Sequence, residues 1–158
     1  MKKYVFALIV SSTACWFSCS KPMATSNLEK VSLVKKWETE PILNIPESVL
    51  YDKNENVLYV SSINGEPSAQ DGNGFISKVS TNGQVTELNW ITGLDAPKGM
   101  GLVGNLLYIA DLTKVVVVDT KTGQKVKEIN PTEAQFLNDI TVDAQGNVYV
   151  SDTSGKKV

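Results

Sequence analysis

The sequence predicts an all-β chain assembled from a repeated four-stranded unit. Three observations predict it. First, NVLYVSS (Asn56 to Ser62), NLLYIAD (Asn105 to Asp111) and NVYVSDT (Asn147 to Thr153) are versions of one strand, and their tyrosines, Tyr59, Tyr108 and Tyr149, stand 49 and 41 residues apart. Second, each of these strands follows a polar turn, and each turn follows another short strand: ESVLYD, KGMGLV and NDITVD. Third, two more strands fill each complete repeat, GFISKVS and QVTELNW around Thr81-Asn82-Gly83, then KVVVVDT and QKVKEIN around Thr122-Gly123. Four antiparallel strands in about 40–50 residues are the pattern of a β-propeller blade. A β-sandwich also spaces its strands steadily, but the recurring Asn-x-(Leu)-Tyr-(Val/Ile) strand favours the propeller.

The elements follow in order. Lys2 and Lys3 form a basic n-region, YVFALIV (Tyr4 to Val10) an apolar h-region, and small residues come next. That is an export signal, too short for a comfortable transmembrane helix. Cys15 and Cys19 lie at its far end, where a disulfide would brace nothing downstream. A bacterial lipoprotein signal is the better fit, with residues 1–19 as the signal segment and Cys19 as the lipidation site. Cys15 is the other candidate, and neither has the usual leucine three places earlier. A plain secretory signal or an uncleaved anchor is the alternative. Loss of residues 1–18 removes two lysines and no acidic residue, which takes the net charge from −2 to −4. The expected location is a bacterial membrane lipoprotein facing the periplasm or cell surface. Residues 20–30 read as a polar tether and Val31 to Thr39 as a single strand. PILNIP (Pro41 to Pro46) reads as a turn. Residues 46–90 read as blade 1, 97–130 as blade 2 and 137–158 as the start of blade 3, so that 31–158 forms a partial propeller. Propellers close on about four to eight blades, so a piece of a longer protein is expected, with 31–39 as the ring-closing strand.

Composition narrows the chemistry. There is no histidine, and all fifteen basic residues are lysine. A Ser-His-Asp triad and a His-ligated zinc site are therefore impossible within the chain. Arginine clamps on phosphate or carboxylate are absent as well. No basic excess points to nucleic acid. Any metal must be held by oxygen, which favours calcium or magnesium.

PESVLYD at the first blade and NDITVDAQGNVYVSD at the third resemble the family of gluconolactonase, regucalcin (the senescence marker protein, SMP-30) and luciferin-regenerating enzyme. The resemblance runs from about Pro46 to Thr153, and the second motif is the more specific. It implies a six-bladed propeller with a divalent metal, most often calcium, at the centre of the ring. Where that family usually has Gly-Glu-Gly/Ser-Pro, this chain has Pro46-Glu47-Ser48-Val49. LDAPKGMG (Leu94 to Gly101) is closer to strictosidine-synthase-like and NHL-repeat propellers.

In a propeller the innermost strand of each blade starts at the mouth of the central channel. Counting back from each tyrosine places Glu47, Lys98 and Asn138 at equivalent positions. The resemblance implies that Glu47 is a metal ligand and that Asn138 faces the metal as a ligand or a substrate contact. The family's remaining ligands, an Asn and an Asp, belong to later blades. Lys98, Asn138 and Asp139 are the candidate substrate contacts, and no catalytic base is assigned. Each has a plainer alternative. Glu47 can be an ordinary strand-start residue after a proline. Asn138-Asp139 can be turn chemistry, the side chains bonding nearby backbone N–H groups, with Asp139 bracing the loop. Lys98 departs from an all-oxygen site. It can replace a positive charge, contact an anionic substrate or exclude a metal. Phe136 stands where sugar-lactonase members often carry a substrate-holding arginine.

AQDGNGFISKVS (Ala69 to Ser80) has the look of an EF-hand loop, but Ala69 and Ser80 occupy the first and twelfth positions and its flanks are strands. Ile63 to Gly74 is long for a hairpin connection. It is expected to lie on the mouth face, where it walls the pocket or is a surface excursion.

Two functions follow. One is a divalent-metal-dependent hydrolase of lactones or related esters, the metal polarising the carbonyl and activating water, on a propeller expected to be monomeric and lipid-anchored. The other is a non-catalytic propeller binding module for a peptide, glycan or protein partner. The hydrolase is marginally preferred at this point, on the resemblance alone.

Overall fold

The computed structural model describes residues 32–158, and Lys35–Val158 forms one unit. The signal segment 1–19 with Cys15 and Cys19, the tether 20–30 and Val31 lie outside the described residues.

The unit is all β. Blade 1 is a four-stranded antiparallel sheet of β1 (Pro46–Asp52), β2 (Val57–Ser62), β3 (Gly74–Ser80) and β4 (Val85–Leu94), in that spatial order. Blade 2 repeats the order with β5 (Pro97–Val103), β6 (Leu106–Asp111), β7 (Lys114–Asp119) and β8 (Gln124–Ile129). A hairpin of β9 (Leu137–Val142) and β10 (Val148–Asp152) starts the third repeat. This is the predicted partial propeller.

The burial pattern explains the packing. The inner strand β5 is buried over its first five residues, and β7 (KVVVVD) over its four valines. The outer strand β8 (QKVKEI) is exposed along most of its length, and its lysines suit a solvated sheet edge. One core cluster joins Tyr59, Ile76, Ile91 and Leu94 of blade 1 to Met100, Leu107, Ile109, Val116 and Val118 of blade 2. A second joins Ala110 and Val115 of blade 2 to Leu137 and Ile140 of the hairpin. Each sheet buries a face against the next, the only way a flat apolar strand set leaves water. On blade 1, Trp90 stacks on Tyr59 at 4.9 Å between ring centroids, and the Lys78 ammonium sits 4.4 Å from the Trp90 ring.

Two boundaries differ from expectation. Blade 1 runs to Leu94, because Ile91 and Leu94 are core residues and β4 continues past Trp90. The strand expected over 31–39 does not form in its described part: residues 32–39 make no ladder. A lone strand has no partner for its N–H and C=O groups and leaves them to water. Trp37 instead lies over the turn at Gly83, where a Cβ would come within 2.7 Å of the indole.

Two recurring aspartates, in blade 2 and in the third repeat, fasten the loop before the inner strand. Asp111, at the end of β6, accepts hydrogen bonds from the amides of Asp95 (3.0 and 3.1 Å) and Ala96 (2.8 Å). Asp152, at the end of β10, accepts from Gln135 (3.0 Å), Phe136 (2.9 Å) and Gly155 (2.8 Å). Both stand three residues after the repeat tyrosine. The backbone N–H groups, Gln135 first, hold the Asp152 carboxyl below the usual aspartate value of 3.8. A carboxylate whose pKa is lower folded than unfolded adds stability above the unfolded value and loses it as pH falls through the folded one. Asp152 stability is therefore present above pH 3.8 and drains away below it. Asp152→Asn should flatten the acid limb of the Tm-against-pH curve below that pH, measured by thermal circular dichroism.

Candidate functional site

The inner strands β1, β5 and β9 each break register at their first residues. Pro46 faces Ser62 while Ser48 faces Ser61, leaving Glu47 as an extra residue. Pro97 faces Asp111 while Met100 faces Ile109, which places the irregularity at Lys98 and Gly99. Leu137 faces Asp152 while Ile140 faces Val150, which places it at Asn138 and Asp139. A bulge leaves one residue unpaired, bends the strand and re-aims a side chain. Three equivalent bulges therefore fall on the positions that the sequence picks out as the mouth. Hydroxyls brace two of them. The amide of Ser48 donates to Ser61 Oγ (3.1 Å) and that of Asp139 to Ser151 Oγ (3.0 Å). Ala110 holds the corresponding place in blade 2 and offers no hydroxyl.

The bulges bring Glu47, Lys98 and Asp139 into one electrostatic neighbourhood. Partial shielding from water raises the Glu47 carboxyl above its usual 4.5 although the residue is exposed overall, the Lys98 ammonium pulls it down, and the Asp139 carboxylate pushes it up. Burial lowers Lys98 below its usual 10.5, while Glu47 and then Asp111 pull it back up. Lys98 is 2% exposed, whereas Glu47 and Asp139 are exposed. The Lys98 Nζ donates to the Pro67 carbonyl at 3.1 Å and sits 4.8 Å from the Phe136 ring centroid. So the long 63–74 loop is fastened to the mouth by the lysine. Ile63, Ala96 and Leu112 form a small apolar cluster with Phe136 packed against it. Phe136, noted from sequence for an absent arginine, has a positive task here: its ring faces an ammonium.

Asn138 is half-buried in β9, and none of the hydrogen bonds among the described residues uses its side chain. The bulge gives the electrostatic coupling with Glu47 to its neighbour Asp139. Asp139 Oδ1 also accepts from the amide of Ile140 at 2.9 Å, the local bond expected of an aspartate at such a break. The residues that sequence reasoning missed are Asp111, Asp152 and Gly99. An added Cβ at Gly99 would meet Asp139 Oδ1 at 2.5 Å, Asp139 Cα at 2.7 Å and the amide nitrogen of Ile140 at 2.8 Å. A bare backbone at Gly99 is what lets β9 approach β5. The signal for the aspartates was in the sequence, in their shared place after the tyrosine.

A hard cation takes about six to eight oxygens. Among the described residues no three or more His, Cys, Asp or Glu side chains gather in a metal-holding group. The mouth offers two carboxylates with a buried ammonium beside them. Those residues by themselves supply too few oxygens to fit a divalent metal. The EF-hand-like loop is likewise occupied with itself. Asp71 accepts from the backbone (3.3 Å) and side-chain amide (2.8 Å) of Asn73.

No family model and no curated protein matches the chain. Solved structures do. A nidogen/laminin complex aligns with a TM-score of 0.56 at 17% identity, over 69% of this chain and 40% of that one. Hydrazine synthase of Kuenenia stuttgartiensis aligns at 0.49 and 20% identity, over 73% of this chain and 35% of that one. The computationally designed Ika4 protein aligns at 0.44 and 14% identity, over 68% and 65%. The chain thus spans less than half the length of the first two. The likeness to the nidogen/laminin structure shows a β-propeller fold and nothing about chemistry.

Proposed function

We propose that this propeller chain is a binding module whose ligand seats at the mouth of β1, β5 and β9 and presents an ammonium or other hydrogen-bond donors to Glu47 and Asp139. The observation that carries it is the trio of aligned bulges. The bulges stand at two exposed carboxylates and at a lysine that is itself withdrawn from water, and Glu47 feels both Lys98 and Asp139. Lys98 supports the site from behind: it fastens the 63–74 loop through Pro67 and moderates the repulsion that Glu47 feels from Asp139. An organic cation needs only one or two carboxylates and a concave seat, whereas calcium needs a larger oxygen set.

The lactone or ester hydrolase of the gluconolactonase-like resemblance is the other reading. Glu47 at the start of the first inner strand favours it, and the small number of oxygens among the described mouth residues weighs against it.

Three probes separate the possibilities in a thermal-shift titration of the Cys15→Ser, Cys19→Ser protein: putrescine, glutarate and calcium after EDTA treatment. A ligand that binds only the folded state raises Tm with its concentration. The expected result is a saturable rise with putrescine that Glu47→Gln, Asp139→Asn abolishes. A rise with calcium alone restores the metal-dependent reading, and a rise with glutarate alone makes Lys98 the contact. Either result, or no response to any probe, overturns the proposal.

A further inference from the structure

Blade 1 carries a concavity built from residues other than those of the mouth. It is a cavity of about 300 Å³ between the 63–74 loop, the segment before β1 and the outer strand β4. Asn44, Asn64, Asn73, Asn89 and Thr92 line it, with Phe75 among its apolar lining. None of its lining residues is charged.

The amides are arranged by one another. Asn44 Nδ2 donates to Asn64 Oδ1 at 3.0 Å, and Asn64 Nδ2 donates to the Asn73 carbonyl at 3.0 Å. Asn73 Nδ2 in turn donates to Asp71 Oδ2 at 2.8 Å. This relay fixes which way each amide points, and it leaves Asn44 Oδ1 and Asn73 Oδ1 as acceptors outside the relay. Asn64 holds its place with a φ of 55°, in the left-handed region that asparagine tolerates. The rim is pinned from both sides. The Gly72 amide donates to Asp95 Oδ1 at 3.2 Å, and the Lys125 ammonium donates to the Gly93 carbonyl at 2.8 Å. Asn89 and Thr92, exposed on β4, add an amide and a hydroxyl.

We propose that this cavity is a binding site for a neutral, polyhydroxylated ring, a neutral sugar unit. The size is at the lower end of small-molecule pockets, enough for one ring and not for an extended chain. No charged residue lines the cavity, and the charged groups at its rim, Asp71, Asp95 and Lys125, are of both signs and already hydrogen-bonded, so the site favours a neutral ligand. A hydroxyl both donates and accepts, so it matches amide groups that offer oxygens and N–H together. The apolar lining left accessible, Ile42 and the half-buried Leu88, suits the C–H face of such a ring.

The test is a titration with glucose, galactose and N-acetylglucosamine, followed by side-chain amide shifts in 1H–15N NMR spectra. Glucuronate and glucosamine serve as charged comparators. The expected result is saturable binding of at least one neutral sugar, weakened about tenfold, or about 1.4 kcal/mol, in the double variant Asn89→Ala, Thr92→Val. Both positions are exposed on an outer strand, so the variant should keep the parent's Tm. Glu47→Gln should bind as the parent does, which separates this site from the mouth. The proposal is overturned by no saturable binding of any neutral sugar, by equal binding in the double variant, or by preference for a charged comparator.

Discussion

Asp111→Asn should lower the stability of the protein by about 3 kcal/mol and its Tm by about 10 °C. Asp111 is completely buried, and its carboxylate holds the amides of Asp95 and Ala96. An asparagine with its oxygen in the Oδ1 place still accepts from both amides, but its NH2 group then stands where Oδ2 did, facing the Asp95 amide and the Lys114 ammonium. Donors set against one another in a buried site lose the charge-assisted bond and gain nothing in its place. The Lys114 ammonium, 3.9 Å from Asp111 Oδ2, loses a partner but keeps Asp95 at 3.3 Å. Burial itself raises the Asp111 carboxyl above its usual 3.8, so the charge is held there at a cost. The loss on substitution thus measures the donors set against one another more than the net worth of the carboxylate. Ser62 supplies the internal control. It holds the equivalent place in blade 1 and is completely buried, but its Oγ has no hydrogen-bond partner among the described residues. The loop there is held by backbone bonds, from Ile63 to Ile45 (3.1 Å) and from Asn64 to Asn44 (3.3 Å). Ser62→Ala should therefore leave the urea midpoint nearly unchanged, while Asp111→Asn shifts it clearly downward with the same slope.

The second large effect is at Gly99. Gly99→Ala should cost about 1–3 kcal/mol and should also disturb the mouth. The new methyl would meet the Cα of Asp139 and the amide nitrogen of Ile140, and backbone cannot swing aside as a side-chain tip can. The strain relaxes only if β9 moves away from β5, and that movement carries Asp139 away from Glu47. Two readouts should change together: a lower Tm, and a Glu47 carboxyl released from part of the upward push of Asp139. At Gly101 an added Cβ meets only side-chain methyls, Ile140 Cγ2 at 2.6 Å and Val142 Cγ2 at 2.8 Å. Gly101→Ala should therefore be the milder of the two.

Much of this architecture is written in local pattern. The strand of Tyr59, Tyr108 and Tyr149 recurs closely enough to give the repeat, the strand order and the start of each inner strand. The outer boundary of blade 1 was less legible, because Ile91 and Leu94 belong to the core through contacts with blade 2, which no local pattern records. Residues 31–39 look like a strand by their apolar residues, but a strand exists only where a second one supplies its hydrogen bonds. The site was legible by position and not by residue. Counting from the tyrosines found Glu47, Lys98 and Asn138. The bulge that couples Asp139 to Glu47 depends on the pairing of Leu137 with Asp152, a register set by the opposite strand. The burial of Lys98 depends in turn on a loop that begins thirty-five residues earlier, at Ile63.

The central claim is that three bulged strand starts hold Glu47, Lys98 and Asp139 in one electrostatic cluster. The most direct measurement is the titration of the Glu47 carboxyl carbon by 13C NMR, in the parent and in Lys98→Met. In the parent, partial shielding from water should place the Glu47 pKa above 4.5, and removing the ammonium that pulls it down should raise it further. An ordinary glutamate titration that Lys98→Met does not move would contradict the cluster and the binding site built on it.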